Sequence, residues 1–247
     1  MLPSFSGDLA GIDAACREFA DPALALKYAR FFREGYDAYG VDHKNPRWVQ
    51  RIEEWRSHWT PRGPAAVLEL GRALFATGKY EHGAVAILLM KPLVERIGAG
   101  ELPGLAAWLA LVRNWGHCDV ICGELIAPCI ASGAIAPVKL KPWARSPDRF
   151  VRRAAPVSLL GALRRGPCAA SLLPLLRPLM SDSERVVHQG MGWFLRELWK
   201  REPEPVEQFL SEWKDTAPRL IFQYATEKMD AAGKARFRRT KPAAPPK

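Results

Sequence analysis

The residues best suited to chemistry are Trp115 and Asp119, in the run Asn114-Trp115-Gly116-His117-Cys118-Asp119. Residues four apart project from one side of an α-helix, so a helix beginning by Trp115 sets an aromatic plane beside a carboxylate. The ring face attracts positive charge, and the carboxylate stabilises a positive charge as it develops; the pair suits a flat cationic ligand. His117 is a candidate accessory base beside Asp119, weighed against the commoner role of a histidine at a helix start, a partly exposed polar residue. Cys118 and Cys122 stand four apart next to His117. Zinc sites show tighter pairs such as C-x2-C with a second pair elsewhere, so these cysteines read as buried thiols on a packed helix, with no metal.

Charge singles out a second group. The chain carries a net +10 on 247 residues. Residues 234–247 hold six basic and no acidic residues, and residues 141–165 hold seven basic residues against Asp148 alone. Each block is therefore +6 and the remainder is slightly acidic, which makes the excess two patches with a polyanion as the natural partner. The internal block contains Arg149, Arg152 and Arg153. Consecutive helical residues point about 100° apart, so of Arg152 and Arg153 at most one can sit centrally on a binding face. His188 falls 35 residues after Arg153, a position that would face the same groove in a repeating structure.

These side chains need a scaffold, and the sequence describes an all-helical one. At 48% hydrophobic and 25% charged residues the chain has the composition of a folded soluble protein, which excludes disordered and collagen-like classes. Helical spacing predicts helices over 21–33, 44–59, 65–77, 82–97, 105–113, 117–131, 147–163, 169–180, 184–201, 205–213 and 218–229. Pro92 and Pro128 should kink or divide two of them. Ser146 reads as the N-cap ahead of Pro147. Trp48, Trp55 and Trp59, at spacings of seven and four, share one helical face and read as core. Residues 35–40 form a turn-rich aromatic segment.

Sliding the chain by 35 residues sets Val151 on Val186, Ala155 on Gly190, Leu159 on Phe194, Leu160 on Leu195 and Leu163 on Leu198. Helix pairs at that period imply an α-solenoid, a superhelix of antiparallel pairs with a concave basic face. The expected organisation is a single repeat domain over 1–233, less regular over 1–63, followed by a disordered basic tail over 234–247. Five scattered cysteines suit reduced thiols in the cytoplasm. Residues 1–10 lack a basic start and an apolar run, and the longest clean apolar stretch, 84–90, is far below the ~20 residues of a membrane span.

Three motifs in order carry a family likeness: Trp115 to Asp119 as Trp-x-x-x-Asp, Arg153-Ala154-Ala155 after Phe150 and Val151, and Gly192-Trp193-Phe194-Leu195-Arg196-Glu197. Pro218-Arg219 and Tyr224-Ala225 add to them, as do Gly40-Val41 and Pro46 upstream. On these residues the chain resembles the DNA alkylation repair proteins, HEAT-like helical-repeat DNA glycosylases for alkylated purines. The resemblance implies hydrolysis of the N-glycosidic bond of 7-methylguanine or 3-methyladenine in duplex DNA, by a monomer associated with the nucleoid and without a cofactor. It implies Asp119 as the catalytic carboxylate, Trp115 and Trp193 along the lesion's backbone or sugar, and Arg153 on a phosphate. Arg149, Arg152 and His188 extend the DNA-binding set. Many relatives have an acidic residue after the tryptophan and a valine before the aspartate, where this chain has Gly116 and Cys118. The alternative is a noncatalytic helical-repeat protein that binds DNA or another acidic partner through the same patches; a protein–protein scaffold stands third.

Overall fold

A computed structural model describes residues 7–32, 35–165 and 168–240. Among these the regular structure is all helical, as expected, α-helix with short 3-10 and π segments, and it forms two compact units, Met1–Ala136 and Pro137–Lys247. The single 1–233 domain of the sequence reading is thus divided at residue 136. Among the described residues no helix is long and apolar enough to cross a membrane.

The first unit holds α1 (Leu9–Glu18), α2 (Pro22–Ala29), α3 (Pro46–Trp59), α4 (Gly63–Ala76), α5 (Tyr80–Met90), α6 (Leu102–Leu111), α7 (Trp115–Val120) and α8 (Ala127–Ser132). Asp21 and Asn45 start α2 and α3 in the same way, each accepting main-chain N–H groups ahead of a first-turn proline. In α3, Trp48, Ile52 and Trp55 are buried as the spacing predicts, while Trp59, expected with them, is half-buried, its Nε1 donating to the Gly7 carbonyl at 3.0 Å. The helices form two rows: α5 packs between α3 and α7, while α4 backs α5 and lies against α6.

The second unit opens on a 3-10 stretch, Pro137–Arg145, followed by α9 (Arg149–Leu159), α10 (Ala169–Leu176), α11 (Arg185–Trp199), α12 (Pro203–Trp213), α13 (Arg219–Ala225) and α14 (Ala231–Arg236). Here α11 packs between α9 and α13, with α10 against α12 as the second row. The two helices that align at a 35-residue shift are therefore direct neighbours. Val151, Val186, Ala155, Leu159, Phe194, Leu195 and Leu198 are all buried, the pattern of a repeated helix pair.

Several expectations are corrected. The Ser146 cap gives way to Asp148, whose carboxylate accepts from Phe150 N (2.8 Å) and Val151 N (3.0 Å), and α9 starts at Arg149. The predicted 82–97 helix ends at Met90, and Lys91–Arg96 continues as a 3-10 helix behind Pro92. The predicted 117–131 helix widens into π-helical turns over Ile121–Ile126. Pro128 lacks an N–H and its ring would press on the carbonyl four residues back, and a wider turn relieves both. Gly133, at φ +91°, closes α8.

The basic tail also starts later than expected. α14 includes Lys234 and Arg236, Phe237 is buried, and Arg219 Nη1 donates to the Phe237 carbonyl at 2.9 Å. Arg239 Nη2 donates to the Ala217 carbonyl at 3.2 Å. Lys241 and Lys247 lie outside the described residues.

The segment before α3 is held by one side chain. Glu81, 1% exposed in the first turn of α5, accepts N–H groups from Tyr39 (2.9 Å), Gly40 (2.8 Å) and Val41 (3.2 Å). Gly40 has φ +84°, and a Cβ placed on it would lie 2.0 Å from the Asp21 carbonyl oxygen. Gly40→Ala must therefore strain the backbone and push the loop off the start of α2. We expect a loss of at least about 2 kcal/mol in unfolding free energy by urea titration, with the far-ultraviolet spectrum of the folded state unchanged.

Candidate functional site

Asn114 accepts from His117 N at 3.0 Å and so caps α7, which makes Trp115 the first helical residue, two residues ahead of the predicted start at 117 and in the register that the Trp115–Asp119 pairing requires. Trp115 is 38% exposed and Asp119 half-buried, while His117 and Cys118 face the interior. The ring and the carboxylate accordingly lie one turn apart on the outward side of a short helix. Trp115 Nε1 donates to the Phe31 carbonyl at 3.3 Å, and its ring centroid lies 5.5 Å from that of Phe32. Gly116 follows from this packing, because a Cβ there would stand 3.0 Å from Phe32 Cε1 and 3.2 Å from Asn114 Oδ1.

His117 is not the partly exposed residue expected at a helix start. It is 5% exposed, stacked on Tyr80 at 4.4 Å and edge-on to Phe75 at 5.5 Å. Burial pushes its pKa down to about 4 against an opposing hydrogen bond to the Tyr80 main chain, so the imidazole is neutral at neutral pH. Residues two apart on a helix point to opposite sides, which separates His117 from the outward face of Asp119. Its contribution to the site is to fix α7 against α5. Cys118 and Cys122 are both buried, in keeping with thiols on a packed helix.

Sequence reasoning missed the company of Trp115. A cavity of about 300 Å³ is lined by Trp115 together with Tyr28, Phe31, Phe32, Tyr36 and Tyr80. Phe32 and Tyr36 stack at 4.9 Å and 8°, and Tyr36 meets Tyr80 at 4.8 Å. Burial is the main cause that raises the phenols of Tyr36 and Tyr80, and the charge of Glu81 is the next. The signal was present as the aromatic density of residues 28–39, whose rings converge only once the loop folds onto α5.

In the second unit, the arginines of α9 have separate fates. Arg152 is committed internally: Nε donates to Asp182 Oδ2 (2.6 Å), Nη2 to Asp182 Oδ1 (3.3 Å), and Nη1 to the carbonyls of Ser146 and Pro147 (2.9 Å each). Arg153 is 5% exposed, with Nη1 donating to the Val186 carbonyl at 2.5 Å. Arg149 is the exposed member, its side chain 43% accessible and 3.7 Å from Glu184. His188 Nε2 lies 2.6 Å from the Asp182 carbonyl, so Asp182 joins Arg152 and His188. Trp193 is half-buried on α11.

With this geometry in place, comparison with known proteins is decisive at the family level. A family model described as DNA alkylation repair enzyme matches residues 12–229. The chain belongs to that family. Family membership gives it a role in DNA repair, and Trp115, Asp119, Arg153 and Trp193 all lie inside the matched span. No curated protein matches the chain in sequence. A solved structure described as a predicted DNA alkylation repair enzyme from Enterococcus faecalis is similar in fold, with a TM-score of 0.66 at 17% identity over 86% of this chain and 97% of that one.

The buried imidazole gives this member of the family a pH signature. The folded state holds His117 neutral down to about pH 4, whereas the unfolded chain takes up a proton near the ordinary value of 6.5. Its contribution to stability is complete above pH 6.5 and is lost as pH falls from 6.5 towards 4, on the order of 3 kcal/mol across the window. Chemical denaturation at pH 7 and pH 5 should show the wild type losing stability, and the His117→Gln variant losing about 2 kcal/mol less over the same interval.

Proposed function

We propose that this chain is a DNA glycosylase that hydrolyses the N-glycosidic bond of cationic alkylated purines, such as 7-methylguanine and 3-methyladenine, in duplex DNA. One observation carries the reading: an aromatic face and a carboxylate, Trp115 and Asp119, stand one helical turn apart on the outward side of α7. Alkylation of a ring nitrogen makes the purine a cation and weakens its bond to the deoxyribose. As that bond breaks, its electron pair passes to the base, which leaves neutral, and positive charge builds on the sugar. The carboxylate of Asp119 stabilises the sugar cation and orients a water; the water oxygen bonds to the anomeric carbon and gives a proton to the carboxylate. The chemistry requires no cofactor.

The rest of the basic block then serves to hold DNA. Arg149 offers an accessible guanidinium to a phosphate, and Trp193 offers a ring to the sugar or backbone. Arg153 and Arg152, bonded to the Val186 carbonyl and to Asp182, act on DNA by fixing the head of α11 and by their charge.

At an effective dielectric of ~20, a charge pair at ~4 Å is worth ~4 kcal/mol, on the order of a thousandfold in rate when it is realised only in the transition state. Purified protein should therefore release free 7-methylguanine or 3-methyladenine from methylated duplex DNA, measured by chromatography of the released bases. Asp119→Asn should lower release about a thousandfold with DNA affinity retained. Equal release by the variant, or none by the wild type under conditions where it binds, overturns the assignment.

A further inference from the structure

A second cavity of the first unit lies along the row of α3, α5 and α7. It measures about 390 Å³, within the range of small-molecule sites. Val49 and Ile52 of α3, Ala84, Ile87 and Leu88 of α5, and Val120 of α7 give it apolar walls. Val49 and Val120 are 45% and 42% exposed, so the walls gain from an apolar occupant.

Two polar atoms narrow the chemistry. Trp48 and His117 also line the cavity, at 2% and 5% exposure, and neither Trp48 Nε1 nor His117 Nε2 has a hydrogen-bond partner among the described residues. A buried polar group left unmatched costs about 1–3 kcal/mol. The indole nitrogen can only donate. The Tyr80 N–H is taken by the Asp37 carbonyl at 2.8 Å, so the His117 bond to the Tyr80 main chain is to its carbonyl. The bonded ring nitrogen therefore carries the proton, and Nε2 presents a lone pair. One donor and one acceptor are what a hydroxyl group needs.

The rim disfavours charge. Lys91 Nζ pairs with Glu124 at 2.9 Å, while Arg56 pairs with Glu53 and donates to the Leu88 carbonyl at 3.0 Å. An ionic ligand would have to break one of these pairs; a neutral one breaks none. His43, exposed, and Tyr80 complete the lining with a ring each.

We propose that this cavity binds a neutral, flat, mostly apolar molecule whose hydroxyl is matched to the Trp48 N–H and to His117 Nε2. The proposal is independent of the glycosylase chemistry, since among the described residues Asp119 does not line the cavity and no base has to leave the DNA stack to fill it. Through His117 the occupant would touch the residue that fixes α7 against α5.

Isothermal titration of the full chain at about pH 7.5 with 2-naphthol, naphthalene and 2-naphthoate tests it. 2-Naphthol should bind once per chain, about tenfold more tightly than naphthalene, which lacks the hydroxyl, and about tenfold more tightly than the ionised 2-naphthoate. His117→Phe keeps a ring and removes the acceptor, and should lower 2-naphthol to the affinity of naphthalene. Ala84→Phe fills the cavity from α5 and should abolish binding of both. Absence of saturable 2-naphthol binding, equal affinity for 2-naphthol and either other probe, or an undiminished preference in His117→Phe overturns the proposal. So does binding that persists in Ala84→Phe, which would place the ligand elsewhere.

Discussion

Three main-chain N–H groups, from Tyr39, Gly40 and Val41, converge on the two carboxylate oxygens of Glu81 at 2.8 to 3.2 Å. Hydrogen bonds to a charged acceptor each contribute roughly 1.5–3 kcal/mol, and an orphaned buried carboxylate would cost more than any of them. This one side chain therefore determines where the segment ahead of α3 must lie. Its position brings Tyr36 against Tyr80 and Phe32, and Phe32 in turn against Trp115. The outward tryptophan of α7 is held by contacts that begin at a buried acid on α5.

The interior side of α7 shows a related economy. Its six α-helical residues lead straight into the π turns at Ile121, and two anchors set the register of this first stretch. The Asn114 cap fixes its start, and the neutral His117, stacked on Tyr80, fixes its rotation. Trp115 and Asp119 thereby face outward, and the Trp115 ring is secured further by the Phe31 carbonyl and the Phe32 ring. A histidine that resembles a catalytic base in the sequence works instead as an aromatic packing element whose protonation is resisted by burial.

How much of this could be read from the sequence varies with the range of the interaction. The Trp115–Asp119 pairing was legible because an i,i+4 spacing is a local signal, although the Asn114 cap that starts α7 two residues before the predicted helix went unread. The neighbouring α9 and α11 were legible through their 35-residue likeness, and the Trp48 and Trp55 core through its spacing. The commitment of Arg152 was not, since its partner Asp182 stands 30 residues away and acidic residues occur throughout the chain. Nor was the burial of Arg153, because a basic run gives no indication of which guanidinium faces the next repeat. The aromatic cavity was hidden for the same reason, its walls coming from the end of α2, the following segment, α5 and α7. Helix ends were misjudged where a proline changed the hydrogen-bond spacing rather than stopping the helix, as at Pro128.

The last helix changes the meaning of the basic C-terminal block. Arg236 pairs with Glu207 at 2.8 Å, Arg239 reaches the Ala217 carbonyl, and Phe237 fills the core. Much of that block is a clasp that closes the second unit. A chain cut before Lys234 to probe electrostatics would open an apolar seam and report on folding instead. The cut that isolates charge belongs after Thr240.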